Sequence, residues 1–230
     1  VAVTGVQTCA LPILTAAVGS ITGVSPRFFA AMSVPPENRQ STQGRLVLVV
    51  GPSGAGKDAL IERAKLAFAS DKHFVFARRI VTRAAMAEDH DTIDTSAFDA
   101  AEKSGAYLLS WHAHDLGYGL PIELKQDLDQ GRIVVANVSR GIILTAEDLG
   151  YPVHVLHVTA DPVILAARIA ARGRESMAEV RARLGRIAPL QWRTAHVVEI
   201  RNEGTLEHGA ALFINALAHC AAPEIGRAHV

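Results

Sequence analysis

The sequence predicts a three-layer α/β fold with a parallel sheet core, and three observations lead to this fold class. Short continuous apolar runs alternate with segments of helical periodicity from Arg45 onward, as in a parallel sheet covered on both faces. A glycine-rich segment joins the first apolar run to the first helical segment. The periodic part, residues 45–220, is long enough for one α/β domain and short for two.

The apolar runs predict the strands, and the periodic segments between them predict the helices. Strands are expected at residues 46–50, 74–77, 133–138, 153–158 and 196–200. Helices are expected at residues 59–69, 121–130, 141–149, 161–171, 176–188 and 205–218. Asp161 followed by Pro162 is typical of a helix start, because the carboxylate accepts from free N–H groups and proline suits the first helical position.

The segment after the first predicted strand has the spacing of a phosphate-binding P-loop. It consists of Gly51, Pro52, Ser53, Gly54, Ala55, Gly56, Lys57 and Asp58. The glycines let successive backbone N–H groups converge on phosphate oxygens at the start of a helix, and the lysine places a cation on the β and γ phosphates. We therefore predict that these residues bind the phosphates of ATP and that Lys57 is catalytic.

Asp58 is the unusual residue of this loop, because serine or threonine is expected after the lysine and its hydroxyl ligates magnesium. A carboxylate beside a triphosphate is repelled unless a metal lies between them. We therefore expect Asp58 to hold Mg²⁺, directly or through water. The alternative is that Asp58 is only an acidic residue in the first helical turn, where the helix dipole favours it.

Residues 78–121 do not fit a plain alternation of strands and helices, and we interpret them as a substrate-binding insert. If the first residues of the insert are extended, Arg79 and Arg83 share a face. Together with Thr82 and Tyr118 they suit an anionic phosphate ester, because a guanidinium can bind two phosphate oxygens at once. The alternative is a solvated edge strand.

His112 and His114 also lie in this insert, two residues apart. On a strand, both imidazoles would project from one face, which suits a metal ion. We do not expect such a site, because no cysteine or further histidine cluster nearby in the sequence completes the ligand set.

Residues 168–186 are rich in arginine, and we interpret them as a lid. Arg168 and Arg172 share a helical face, and Gly173 interrupts the helix. Phosphoryl transfer needs cations that neutralise the transferred oxygens and a closure that excludes water. The segment contributes three predicted catalytic residues, Arg172, Arg174 and Arg183. The alternative is a solvated helix in which these arginines pair with glutamates.

Composition favours a small-molecule partner over a macromolecule. The chain has 23 basic and 23 acidic residues, interspersed, so it carries no electrostatic footprint for nucleic acid or an anionic membrane. After Met32 no apolar run is long enough to span a bilayer. The two cysteines, Cys9 and Cys220, form no disulfide framework, and we expect a cytoplasmic protein. The sequence does not determine the oligomeric state, and a homodimer is one option.

The two ends of the sequence resemble translated sequencing adapter. Residues 9–13 and 225–228 can be encoded by opposite strands of one DNA element. We therefore expect residues 1–31 and 224–230 to be artefactual extensions and residues 32–44 to be a disordered lead-in. Residues 45–220 are predicted to form a single P-loop kinase domain.

The order of P-loop, arginine segment, aromatic-glycine segment and arginine lid resembles the guanylate kinase group of nucleoside monophosphate kinases, over residues 45–218. The resemblance implies a nucleoside monophosphate kinase-like fold. Three positions depart from that group: Asp58 replaces serine or threonine, Arg79 replaces a serine, and Ser110 stands where a carboxylate reads guanine. Dropping that carboxylate would leave base N–H groups buried and unpaired.

Five motifs are instead similar to the ribose 1,5-bisphosphate phosphokinases of phosphonate degradation. They are GPSGAGKD at 51–58, ARRIVTR at 77–83, LSWHAHDLGYG at 109–119, NVSR at 137–140 and ARGRES at 171–176. This resemblance implies ATP-dependent phosphorylation of ribose 1,5-bisphosphate at its 1-phosphate, with 5-phosphoribosyl 1-diphosphate and ADP as products. It also implies that residues 202–204 pack against adenine. Two other hypotheses stay open: a nucleoside monophosphate kinase with altered base choice, and a binding module without catalysis.

Overall fold

The core of the fold is a five-stranded sheet in which neighbouring strands run parallel. The computed structural model describes residues 43–83, 90–171 and 189–222. In chain order, the described elements are β1 (Arg45–Val50), α1 (Lys57–Ala67), β2 (Phe74–Phe76), β3 (Arg79–Val81), β4 (His90–Thr92), α2 (Thr95–Lys103), β5 (Tyr107–Ala113), β6 (Leu116–Pro121), α3 (Leu124–Asp129), β7 (Ile133–Asn137), a 3₁₀ turn (Arg140–Ile142), α4 (Ile143–Glu147), β8 (Val153–Thr159), α5 (Pro162–Ala170), β9 (His196–Arg201) and α6 (Leu206–Ala221).

β1 lies at the centre of this sheet, whose strand order is β2-β7-β1-β8-β9. All six residues of β1 are buried, as its uninterrupted apolar sequence requires. In the register, Val49 lies beside Asn137 of β7, and Val50 lies beside His157 of β8. The carboxyl ends of these three strands therefore meet at one edge of the sheet, which is where ligands bind in open α/β folds.

Alternate residues of β1 face two different layers, which makes the fold three-layered. Val47 and Val49 pack in one cluster with buried residues of α1, α5 and α6. Leu46, Leu48 and Val50 pack in another cluster with α3, α4 and the insert. Each fully buried aliphatic side chain of this kind contributes roughly 1.5–3 kcal/mol, so both layers are needed to hold β1 in place.

The insert forms a second sheet of four strands, in the order β4-β3-β6-β5, with α2 packed against it. A Cβ at Gly117 would lie 2.8 Å from the ring of Phe98, and one at Gly119 would lie 2.7 Å from the ring of Tyr107. The glycines on either side of Tyr118 therefore let two aromatic rings lie flat against β6. β3 is flanked by β4 and β6, so the alternative of a solvated edge strand is wrong for Arg79–Val81.

The five predicted strands of the core sheet are confirmed, with ends that shift by at most one residue. Five predicted helices are confirmed, but three are shorter at their ends, and the one expected at 141–149 begins as a 3₁₀ turn. Asp161 caps α5 as expected, since its carboxylate accepts from the Val163 N–H at 2.8 Å. The helix predicted at 176–188 lies outside the described residues. The sheet and helix of the insert were not predicted, because its strands are short and its pattern is mixed.

Glu147, at the end of α4, joins that helix to the chain just before β9. Its side chain is 3% exposed, and its carboxylate accepts from the backbone N–H groups of Arg193, Thr194 and Ala195. Burial alone would raise the pKa of Glu147, but these backbone hydrogen bonds and the Arg193 guanidinium outweigh it, and the pKa lies below its ordinary value. The folded structure therefore stabilises the ionised form of the Glu147 carboxyl group.

Candidate active site

The P-loop of the structure runs from the end of β1 to the start of α1, as the sequence predicts. Gly51 has φ +149°, and a Cβ there would lie 2.0 Å from the carbonyl oxygen of Val158. Gly56 caps α1 with φ +89°, and a Cβ there would lie 2.6 Å from Nδ2 of Asn202. These contacts require glycine, and they place the start of the loop against β8 and its end against the residue after β9.

Lys57 folds back over the loop that it terminates. Its Nζ donates to the carbonyl oxygens of Gly51 at 2.9 Å and Pro52 at 3.0 Å. The ammonium group therefore lies directly above the loop whose N–H groups are predicted to bind phosphate, which is the position a bridging cation needs.

The side chain of Asn202 binds the backbone of the P-loop, a contact that was not predicted from the sequence. It is 5% exposed, and its Nδ2 donates to the carbonyl oxygen of Ala55 at 2.9 Å. Its backbone carbonyl accepts from the Arg168 guanidinium at 2.9 Å. Its Oδ1 is buried and has no hydrogen-bond partner among the described residues. Asn202, after β9, thus connects the P-loop to α5 through its side chain and its backbone carbonyl.

Asp58 lies in the first turn of α1, with its side chain exposed to solvent. Its carboxylate accepts from Nδ2 of Asn137, at the end of β7, at 2.6 Å. A carboxylate and an amide are the oxygen donors that Mg²⁺ prefers, so the donor set beside Lys57 fits this ion. The same position also suits a first-turn acid, so both interpretations of Asp58 remain.

Arg79 shares a groove with Asp58, although 21 positions separate them in the chain. The groove lies between α1 and the ends of β2 and β7, and the half-buried Arg79 at the start of β3 lines it together with Asp58 and Asn137. The predicted acceptor arginine therefore lies beside the predicted metal ligand.

The other three predicted acceptor residues occupy different positions. Thr82 uses its hydroxyl to accept from the Gly117 N–H at 2.8 Å, which ties β3 to β6. Tyr118 is half-buried and stacks on Trp111, with ring centroids 5.4 Å apart. Arg83 is exposed. The prediction that Arg79 and Arg83 share a face assumed that the strand extends to Arg83. β3 ends at Val81, so it does not.

Of the arginine lid, the structure describes only the start. Arg168, on α5, is half-buried and donates to Asn202 as noted above. The three predicted catalytic arginines, Arg172, Arg174 and Arg183, lie outside the described residues. Their roles stay predictions.

Two further side chains, Arg140 and His157, lie at the carboxyl edge of the sheet near Lys57. Burial lowers the pKa of His157, and the charges of Arg140 and Lys57 lower it further, against an opposing effect of Glu199. Burial also lowers the pKa of the Arg140 guanidinium. Arg140 belongs to the NVSR motif at 137–140, whereas no local pattern distinguishes His157, which lies within β8 two residues before its end.

His112 and His114 do not share a strand face. His114 has φ +54° and lies in the turn between β5 and β6. His112 instead lies near Asp99 and Glu102 of α2, with ligand atoms within 4.8 Å of one another. All but Asp99 are exposed, and exposed groups of this kind occur without a metal.

Guanylate kinase from Anaplasma phagocytophilum aligns with a TM-score of 0.58 over 80% of this chain and 89% of its own, at 15% identity. Ribose 1,5-bisphosphate phosphokinase PhnN from Methylobacterium radiotolerans is 46% identical over 178 residues, which are 77% of this chain and 99% of that protein. PhnN from Acidiphilium cryptum is 47% identical over 179 residues, 77% of this chain and 94% of that protein. No family model matches the chain.

The three-layer fold and the P-loop define a protein with the guanylate kinase fold. Within that fold class, the identity and coverage shared with the two PhnN proteins decide the family. The chain belongs to the ribose 1,5-bisphosphate phosphokinase family. The resemblance that the five sequence motifs indicated is therefore confirmed. Within the described residues, no helix combines the length and the apolarity that crossing a bilayer requires.

Proposed function

We propose that the protein transfers the γ-phosphoryl group of ATP to the 1-phosphate of ribose 1,5-bisphosphate, giving 5-phosphoribosyl 1-diphosphate and ADP. Family membership over nearly the full length of the relatives is the observation that carries this proposal. It favours the sugar bisphosphate over GMP as acceptor. It also associates the enzyme with phosphonate degradation.

The acceptor site supports this choice on physical grounds. Ribose 1,5-bisphosphate has two phosphates and no base, so its site needs guanidinium groups and no carboxylate to read guanine. Arg79 in the groove beside Asp58 supplies one such group. Ser110, at the position of the guanine-reading carboxylate, lies half-buried on β5 opposite Gly119. Arg83 and Tyr118 complete the proposed acceptor site, and the Thr82 hydroxyl still has its hydrogen to donate to a phosphate oxygen.

Transfer proceeds by in-line displacement. An oxygen of the acceptor 1-phosphate attacks the γ-phosphorus, and the bond to the β–γ bridging oxygen breaks with its electron pair leaving on ADP. The acceptor oxygen is already anionic, so no strong general base is needed. The N–H groups of residues 51–56 hold the phosphates, and Lys57 bridges the β and γ groups. Arg172, Arg174 and Arg183 are proposed to close over the γ-phosphate.

We further propose that Asp58 holds Mg²⁺, with Asn137 alongside. When bound, this ion neutralises charge on the β and γ phosphates. We also propose one kinase domain at residues 45–220, with an insert at 78–121 and a lid at 168–186. Residues 202–204 are proposed to bind adenine, and the protein is proposed to be cytoplasmic. We do not assign an oligomeric state, and a homodimer is one option.

The decisive experiment measures phosphoryl transfer from ATP by the purified chain, with ribose 1,5-bisphosphate and with GMP as acceptors, in the presence and absence of Mg²⁺. We expect magnesium-dependent formation of ADP and 5-phosphoribosyl 1-diphosphate with the sugar bisphosphate. Lys57→Ala is expected to abolish it, whereas Lys72→Ala, an exposed lysine away from the loop, is expected to leave it unchanged. Turnover with GMP alone would refute the proposal. No measurable ATP affinity would instead support a binding module without catalysis.

A further inference from the structure

Arg140 stands at the carboxyl edge of the core sheet, immediately beyond β7. The preceding residues anchor it there, because the Val138 N–H donates to the Val49 carbonyl at 3.0 Å and the Asn137 side chain donates to Asp58. Arg140 then opens the 3₁₀ turn and is half-buried. The turn with Arg140 is thus held just beyond the end of β1, the strand that leads into the P-loop.

The turn that carries Arg140 also lies against the insert. Ile142 of this turn is buried in the same cluster as Leu108 and Leu109 of β5. Arg140 therefore lies where two parts of the site meet: the P-loop that binds the donor and the insert that binds the acceptor.

Arg140 and Lys57 both lie near His157. On β8, Val155 packs in the cluster that contains the insert, and side chains alternate along a strand, so His157 faces that same side of the sheet. Both Arg140 and Lys57 lie close enough to His157 for their charges to disfavour the imidazolium, while Glu199 opposes them. Two cations, Arg140 and Lys57, therefore lie near the edge between P-loop and insert, which suits the phosphate groups of two substrates.

We propose that Arg140 binds the acceptor phosphate, on the insert side of the phosphoryl group that Lys57 contacts. This inference rests on the proposed function. A guanidinium donates through a planar fork, so it can hold two oxygens of the 1-phosphate and set the third in line with the γ-phosphorus. Its partial burial strengthens this interaction, since the surrounding dielectric is lower than that of water.

The test compares three variants by steady-state kinetics and by ATP titration in the absence of acceptor. Arg140→Ala removes the guanidinium, Arg140→Lys keeps the charge without the fork, and Arg132→Ala is the matched control. Arg132 precedes β7 at the opposite edge of the sheet, where it pairs with Asp127 at 2.8 Å. Thermal unfolding of each variant checks that the comparison is made on folded protein, and Arg140→Lys carries the test if Arg140→Ala does not fold.

We expect Arg140→Ala to lower kcat/KM for ribose 1,5-bisphosphate about 10- to 100-fold, the value of one hydrogen bond to a charged group. Arg140→Lys should recover only part of this loss, Arg132→Ala should match the wild type, and the ATP dissociation constant should not change. An unchanged kcat/KM, or weakened ATP binding with an unchanged acceptor KM, would overturn the inference. If the proposed function itself is wrong, the wild-type protein will show no turnover with ribose 1,5-bisphosphate. In that case the same KM comparison with GMP decides the role of Arg140.

Discussion

Replacing Asn202 by alanine tests whether one buried amide holds the P-loop in its binding conformation. The substitution removes the side chain that donates to the Ala55 carbonyl, and Ala55 is fully buried. Leaving a buried acceptor unpaired costs about 1–3 kcal/mol. The substitution also removes the buried, unpaired Oδ1 of Asn202, which offsets part of this destabilisation. We therefore expect the free energy of unfolding to fall by about 2 kcal/mol. For a chain of this size, that corresponds to a fall in Tm of about 4–8 °C.

The assay combines urea unfolding with titration of ATP. Asn202→Asp is a useful second variant, because it keeps the shape but places a carboxylate oxygen against the Ala55 carbonyl, and we expect at least the same loss. Asn215→Ala is the matched control, since Asn215 lies exposed on α6, where its backbone carbonyl lies 2.7 Å from Nδ1 of His219. ATP binding should weaken in both Asn202 variants and stay unchanged in the control. Two Asn202 variants that unfold within about 0.5 kcal/mol of the wild type and bind ATP equally well would refute the reasoning.

Three further outcomes are expected. Asp58→Ala should reduce magnesium-dependent turnover while changing unfolding by less than about 0.5 kcal/mol, because Asp58 is exposed; a collapsed Tm with normal activity per folded molecule would favour the first-turn interpretation. Arg79→Ala should raise the acceptor KM and leave the ATP dissociation constant unchanged, and the opposite pattern would place Arg79 on the donor. Glu147→Gln should lower stability at pH 7. Because the folded pKa of Glu147 is lowered, its contribution is present above the unfolded pKa and is lost as pH falls through the folded value. Urea unfolding at pH 7 and below pH 4 should therefore show a difference between wild type and variant that shrinks in acid, and a difference independent of pH would contradict this.

The core sheet could be predicted because its signals are local. A strand buried on both faces must be apolar throughout, as β1 is, and a loop that brings N–H groups onto phosphate needs glycine at fixed spacings. Lys57 and Asp58 were predicted as site residues from that spacing, and Arg79 was predicted from the basic residues after β2. The insert was harder to predict, because strands of three residues such as β3 and β4 carry too little pattern to identify.

The sequence by itself determined the parallel sheet, the P-loop and the residues whose chemistry marks the family. Tertiary structure alone decided which distant side chains complete the site. Asn202 meets Ala55 across 147 positions, and Asn137 meets Asp58 across 79. Neither pairing follows from local periodicity, because each depends on the order of the strands in the sheet. The physical reason is that parallel strands end at one edge of the sheet, so residues far apart in the chain are brought together around one phosphate-binding loop.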